Sequence, residues 1–364
     1  STRHWLDGLK LRASYGVIGN QNINPYTFTP SMSVNNKATS WIIDDTYVTS
    51  ISSLPALVSQ NFTWEKVGTI NVGLDVNLFN NRLSGVFEWY QRNTNGMLAP
   101  GVQLPAVVGA SAPYQNTADM RTRGWELSLN WRDQIGKVGY RIGFNLSDYK
   151  SEIIKYDDNA ATKLLSSYYP GQTLGEIWGY VVDGYYTVDD FVDTSSWQLK
   201  EGVTSINGYN VRPGDVKFKN LRDDDTSTNV ITSGDNTFDN PGDRKVIGNT
   251  TPRYQYGINL GMNYAGFDLN VILQGTGKRD YWISNVLTFP MNGDNFVPLF
   301  EGLSDYWMPK DPDNGDWSAV NPNAKYPRIY GNRGNSGSNL RQSDKYLSDA
   351  SYLRIKNITL SYKL

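Results

Sequence analysis

Few residues in this 364-residue chain have side chains suited to react, ligate or grip. The only histidine is His4, so a Ser-His-Asp nucleophile would have to be assembled around the start of the chain. Paired carboxylates such as Asp189-Asp190 beside aromatics offer the ingredients of a glycosidase. Acids in loops are ordinarily just solvated, however, and no concave soluble scaffold is apparent to hold them. The absence of Cys removes thiolate chemistry, disulfides and Cys-based zinc sites. The chain is not expected to be an enzyme. Oxygen donors are more plentiful: Asp223, Asp224 and Asp225 are contiguous, and Asp235, Asp239 and Asp243 recur at spacing four. Carboxylates in such a segment suit Ca²⁺, which takes six to eight oxygen ligands in flexible geometry. The plainer reading is a solvated acidic loop. Aromatics form the larger set: Trp41, Tyr168, Tyr169, Trp178, Tyr180, Tyr185, Tyr186, Trp282 and Trp307. Flat rings stack on sugars, grip peptide side chains or anchor a protein partner. For any single ring, packing in a small loop core is the stronger reading. As a set, some are expected to line a substrate cavity or a lid interface.

The elements that position these residues alternate in a distinctive rhythm. Period-two patterning marks strands at about 8–18, 67–78, 83–92, 124–132, 138–149, 253–264, 267–275 and 351–364. In 69–78, Ile70, Val72, Leu74, Val76 and Leu78 share one face, against Thr69, Asn71, Gly73, Asp75 and Asn77. In 124–132, Trp125, Leu127, Leu129 and Trp131 oppose Glu126, Ser128, Asn130 and Arg132. The connections 19–66, 93–123, 150–252 and 276–350 are long, whereas 79–82, 133–137 and 265–266 are short. Alternation alone fits a sheet on a soluble core equally well. A strict long–short rhythm fits an up-and-down sheet crossing a bilayer, with tight periplasmic turns and long extracellular loops. The strand length of about 9–11 residues is that of a tilted membrane-spanning strand. The expected fold is therefore all-β, a transmembrane antiparallel up-and-down β-barrel.

Composition agrees. Hydrophobic residues make up only 39%, yet aromatics reach 13%, with 24 Tyr and 11 Trp, as when half of each strand faces a polar lumen. No apolar run is long enough for a membrane helix. A net charge of −2 gives no reason to expect nucleic acid as a partner. No apolar leader is visible at Ser1, and 358–364 is strand-like up to the last residue. Eight strands make a narrow barrel for such long loops, so the expectation is part of a larger barrel.

Several segments carry a family resemblance. They are Leu9-Lys10-Leu11-Arg12-Ala13-Ser14-Tyr15-Gly16, Gly19-Asn20-Gln21, Trp64-Glu65-Lys66 and Asn71-Val72-Gly73-Leu74-Asp75. Asn81-Arg82-Leu83-Ser84-Gly85, Arg123-Gly124-Trp125-Glu126-Leu127 and Pro241-Gly242-Asp243-Arg244-Lys245-Val246-Ile247-Gly248-Asn249 follow. Gly266-Phe267-Asp268-Leu269, Gln274-Gly275, Ser343-Asp344 and Tyr352-Leu353-Arg354-Ile355-Lys356-Asn357-Ile358-Thr359-Leu360 complete the series. In this order the chain resembles the C-terminal part of the barrel region of SusC/RagA family TonB-dependent outer-membrane transporters from Bacteroidetes. The resemblance implies an outer-membrane barrel of about 22 strands, with a plug domain outside this chain. It implies a SusD-like surface lipoprotein as lid, and energy from the TonB-ExbB-ExbD complex through regions absent here. The implied function is active import of a large nutrient, with glycan preferred from the aromatics and oligopeptide import of the RagA type as the alternative. A passive porin or adhesin barrel and a secreted glycan-binding β-sandwich are the readings from other classes. No cofactor is required. Calcium is the exception to consider, because such barrels often carry a calcium-type acidic loop before the Pro-Gly-Asp-Arg segment. Here the Asp-x-Asn-Gly-Asp-Gly pattern is lost after Asp225, which weakens that implication for Asp223, Asp225, Asp235, Asp239 and Asp243.

Overall fold

A computed structural model describes residues 5–21, 63–102, 104–159, 161–164, 168–222, 229–283, 301–330 and 337–363, with short pieces between 29 and 59. Eight long strands form one sheet: β1 (Leu6–Asn20), β2 (Glu65–Leu78), β3 (Leu83–Pro100), β4 (Tyr114–Ile135), β5 (Val138–Tyr156), β6 (Arg253–Tyr264), β7 (Phe267–Lys278) and β8 (Tyr352–Tyr362). Each pairs antiparallel with the next in sequence, and β1 and β8 each have a sheet partner on one side only. This is the up-and-down order expected from the sequence.

The register aligns the apolar stripes into rows across the whole sheet. One row runs Leu9, Val76, Gly85, Leu129, Phe144, Ile258, Leu273 and Ile355, each opposite the next. The neighbouring row on the other face runs Lys10, Asp75, Val86, Ser128, Asn145, Gly257, Gln274 and Arg354. A one-residue slip anywhere would exchange the faces, so one apolar environment must fix the register of all eight strands. Apolar side chains at the strand surfaces, including Leu9, Leu11, Leu74, Phe87 and Leu360, are exposed rather than covered by a second layer. That is what a lipid-facing stripe requires. The short turns follow local chemistry: Phe79, Asn80 and Asn81 all take positive φ, as do Ala265 (49°) and Gly266 (86°) in the two-residue β6–β7 turn.

Three strand boundaries differ from the sequence reading. The connection at 93–123 is mostly strand: β3 continues to Pro100 and β4 begins at Tyr114, leaving 101–113 as the tip. β5 likewise continues to Tyr156. Bulges at Thr94/Met97, Met97/Leu98 and Asp119/Met120 add residues to the ladder and shift the alternation there, while backbone pairing persists. A period-two search loses the strand where the ladder does not.

The described residues of 157–252 and 279–351 join beyond the strand ends into a cap of short ribbons. Glu176–Tyr180 pairs with Arg244–Asn249, Val182–Tyr185 with Val216–Phe218, and Asp280–Trp282 with Leu347–Asp349. The cap has its own core: Tyr180, Tyr186, Phe191, Ile206, Val211, Val216, Phe218 and Ile231. Burying each large apolar side chain contributes about 1.5–3 kcal/mol, so these loops are held by packing as well as by the sheet.

Candidate functional site

Two surfaces gather the polar and aromatic side chains: the polar wall of the sheet and the cap above it. On the wall, Arg12 of β1 donates from Nε to Asp75 Oδ2 at 3.0 Å and from Nη2 to Asp75 Oδ1 at 2.8 Å. Its Nη2 also lies 2.7 Å from Glu88 Oε1 on β3. The intervening strand presents Gly73 directly opposite Arg12, and a Cβ there would meet the guanidinium. Glycine lets the arginine lie flat across one strand to reach acids on two. The same arrangement recurs further along the sheet. Arg141 of β5 stands opposite Gly261 of β6, a Cβ there would strike its side chain, and its Nη2 is 3.6 Å from Asp268 Oδ1 on β7. Two concavities open on this face. One of about 250 Å³ is bounded by Glu88, Glu126, Ser128, Asn145 and Ser147. The other, about 850 Å³ and nearer the short turns, includes Asn130, Arg132, Arg141, Asn259 and Asn263. The wall is hydrophilic and rich in amides.

In the cap, the two long loops meet at a buried carboxylate. Asp215 is 1% exposed and accepts from Tyr330 Oη at 2.5 Å, Asn339 Nδ2 at 2.9 Å and the Arg212 backbone N–H at 2.7 Å. Burial pushes its carboxyl pKa up, against the opposing pull of those hydrogen bonds. Asn339 completes the link by accepting from the Val216 N–H at 2.8 Å. Tyr180 N–H donates to Gln342 O and Val182 N–H to Asp344 Oδ1, both at 2.9 Å. The Trp307 ring covers Gly214, which has φ 89°.

The aromatic candidates separate by placement. Tyr169, Tyr180, Tyr186 and Trp307 are buried, so their rings serve the cap's packing in this structure. Tyr169 donates to Glu176, whose Oε1 also accepts from Trp178 Nε1 at 2.8 Å, and Trp178 meets Phe238 edge-on. Tyr185 is partly buried, donates to Ala324 O at 2.9 Å and faces Lys345 Nζ 4.5 Å from its ring. Trp282 is partly buried beside Leu303, Tyr326 and Tyr346. Tyr168 is 48% exposed and packs edge-on against Tyr156. Trp41 lies outside the described residues.

Of the acidic candidates, Asp223 and Asp225 also lie outside the described residues. Asp243 is fully buried and accepts from the backbone N–H groups of Leu221, Thr232 and Arg222 at 2.9, 2.7 and 3.3 Å. Its lone pairs brace the loop. Asp235 accepts from Thr237 Oγ1 at 2.6 Å, and Asp239 contributes its backbone carbonyl to Arg222. Among the described residues, no group of three or more acids or histidines converges as a metal site. Sequence reasoning missed the arginine–glycine–acid crossings and the Asp215 junction. The former had a signal, since Arg12, Gly73 and Glu88 all fall on polar faces. The latter had none short of tertiary contact.

The family model described as TonB dependent receptor-like, beta-barrel matches residues 4–226. The chain belongs to this family. Among relatives of this TonB-dependent receptor barrel, TonB-dependent receptor P3 of Formosa agariphila is 28% identical over 98% of this chain and 32% of its own length. TonB-dependent receptor SusC of Bacteroides thetaiotaomicron is 26% identical over 98% of this chain and 32% of its own. A solved structure of the RagAB peptide importer in its closed-closed state superposes with a TM-score of 0.68 at 23% identity. That match covers 98% of this chain and 34% of the other and shows a shared fold. The TonB-dependent receptor barrel described here thus spans about a third of the length of the relatives it matches.

Proposed function

We propose that this chain is part of the wall of an outer-membrane conduit for TonB-dependent active import of a large polar nutrient. The observation that carries the reading is the pair of rows across eight strands, apolar on one face except at Gly85 and mainly hydrophilic on the other. Lipid cannot satisfy the unpaired backbone of β1 and β8, so further strands must close the sheet. The length of the relatives is consistent with a barrel completed outside residues 1–364. The long loops are proposed to face the cell exterior and the turns at 79–82 and 265–266 the periplasm. Surface proteolysis of intact cells should therefore nick the cap and spare those turns. Cleavage confined to the turns would invert the topology.

The preferred cargo is a glycan, handled together with a SusD-like lipoprotein as lid and the TonB-ExbB-ExbD complex as energy source. Support comes from amides on the wall, which both donate to and accept from hydroxyl groups, from carboxylates, which accept from them, and from the exposed ring of Tyr168. Burial of Tyr169, Tyr186 and Trp307 removes part of the stacking surface on which that preference rested. Oligopeptide import is the second reading, favoured by the shared fold with a peptide importer. Calcium at the 223–243 segment remains a proposal resting on Asp223, Asp225, Asp235, Asp239 and Asp243 together. A deletion strain should fail to grow on one polysaccharide and recover on its monosaccharides. Normal growth on polysaccharides with a defect on peptides selects the second reading, and no defect on either class refutes import.

A further inference from the structure

The short-turn end of the polar wall holds two arginines facing one acid. Arg132 on β4 and Arg141 on β5 are directly opposite in the ladder, where like charges repel. Both border the concavity of about 850 Å³. Asp268 is the acid paired with Arg141, and its 3.6 Å separation is too long for a good charged hydrogen bond. Asp133, which also borders the concavity, is engaged by Arg82 Nη1 at 3.1 Å. Among the described residues, no ion pair reaches Arg132. One positive charge is therefore left over at this concavity.

The surroundings are built of donors and open backbone. Asn130, Asn259 and Asn263 border the same concavity with amides that each offer two N–H donors. Gly139, Gly143 and Gly261 alternate with them on the same face, and their missing Cβ atoms leave room for the asparagines and Arg141 to lie across the wall. Guanidinium groups match planar or tetrahedral oxyanions through paired N–H donors. A repelling pair without enough acid, ringed by amides, gains most from an anion placed between them.

We propose that Arg132 and Arg141, with Asn130, Asn259 and Asn263, form an oxyanion-binding site for a carboxylate or phosphate-like group inside the concave wall. The group arrives either on an anionic cargo or on a polypeptide segment of the same full-length protein outside residues 1–364. The inference deepens the conduit reading, because it places a charged reader on the conduit's wall. Its test measures binding without transport, so the two fail separately.

The test uses the full-length protein purified in detergent, with inorganic phosphate as probe and chloride balancing ionic strength. The thermal midpoint is followed against phosphate for the wild type, Arg132→Gln, Arg141→Gln and the charge-keeping Arg132→Lys. A free-anion site gives saturable stabilisation, weakened about tenfold in each Gln variant by loss of one charge-assisted interaction, with partial recovery in Arg132→Lys. A site filled by the protein's own carboxylate gives no phosphate response in the wild type, and each Gln variant melts several degrees lower while Arg132→Lys retains most of the midpoint. A Gln variant that fails to fold where Arg132→Lys folds counts with this second outcome. The proposal is overturned by a phosphate response that the substitutions leave unchanged. It is equally overturned if no response occurs and the Gln variants melt at or above the wild-type midpoint, because relief of repulsion is then the whole effect.

Discussion

Placing arginine at Leu129 tests which face of β4 meets lipid. The outward-alternating positions of this strand run Arg123, Trp125, Leu127, Leu129, Trp131 and Asp133, with charge only at the ends. Arg123 and Asp133 are ten positions apart (133 − 123). At about 3.3 Å per residue they are separated by about 33 Å along the strand. With a tilt of about 40° this is about 25 Å along the membrane normal, which matches the height of a barrel's apolar belt. Leu129 lies one residue from the middle of that span. Arginine there is expected to cost about 2–4 kcal/mol. Ser128→Arg is the matched control: same depth, same charge, opposite face, beside Glu88 and Glu126 in the smaller concavity. A side chain free in a wet lumen should change stability by about 0.5 kcal/mol or less. The full-length variants would be folded into lipid vesicles and their unfolding free energies compared by denaturant titration. A gap of about 2 kcal/mol or more, with Leu129→Arg the weaker, is the expected result. Equal costs, or a larger loss for Ser128→Arg, would refute the face assignment and with it the register argument for the whole sheet.

Three further outcomes concern the cap, each read by limited proteolysis of the full-length protein. Asn339→Ala leaves the Val216 N–H and one Asp215 oxygen without their partner. This should loosen the cap by about 1–3 kcal/mol per orphaned group, and unchanged cleavage would show that the junction is not structural. Gly214→Ala adds a Cβ at φ 89° beneath the Trp307 ring. The backbone alone costs about 1–2 kcal/mol, so faster nicking with altered tryptophan emission is expected, and wild-type behaviour would contradict the placement. Burial pulls the Lys345 ammonium pKa down to about 8 from its ordinary value of about 10.5, against the opposing pull of Asp344 and Asp305. The cost of keeping it charged is therefore full below about pH 8 and is relieved as pH rises from 8 towards 10.5. Cleavage should slow as wild type passes upward through that window, while Lys345→Met should lack the step; identical profiles would rule it out.

The eight strands were legible because their signal is local. Side chains of a strand alternate regardless of what the strand pairs with, so Ile70 to Leu78 and Trp125 to Trp131 declare their faces within ten residues. The same locality explains the misplaced ends of β3, β4 and β5: a bulge near Gly96 in the β3–β4 ladder and another at Asp119/Met120 in the β4–β5 ladder shift the pattern that defines the strand. The aromatic set shows the opposite limit. Tyr168 and Tyr169 are adjacent and chemically identical, yet one is 48% and the other 1% exposed. A ring's composition says that it will bind something flat, and only the surrounding fold says whether that partner is a ligand or the protein itself.

Sequence alone therefore determined the two-faced strands, their up-and-down order and the division into short turns and long loops, since each depends on residues close together in the chain. Tertiary structure decided the rest. Asp215 became a buried junction through Tyr330 and Asn339, 115 and 124 positions away. Arg132 and Arg141 became a repelling pair because the β4–β5 register sets them opposite each other, and two of their surrounding amides, Asn259 and Asn263, come from β6, more than a hundred residues further on. Charges and hydrogen-bond partners act over a few ångströms of space, and which residues share those few ångströms is settled only when the strands have paired.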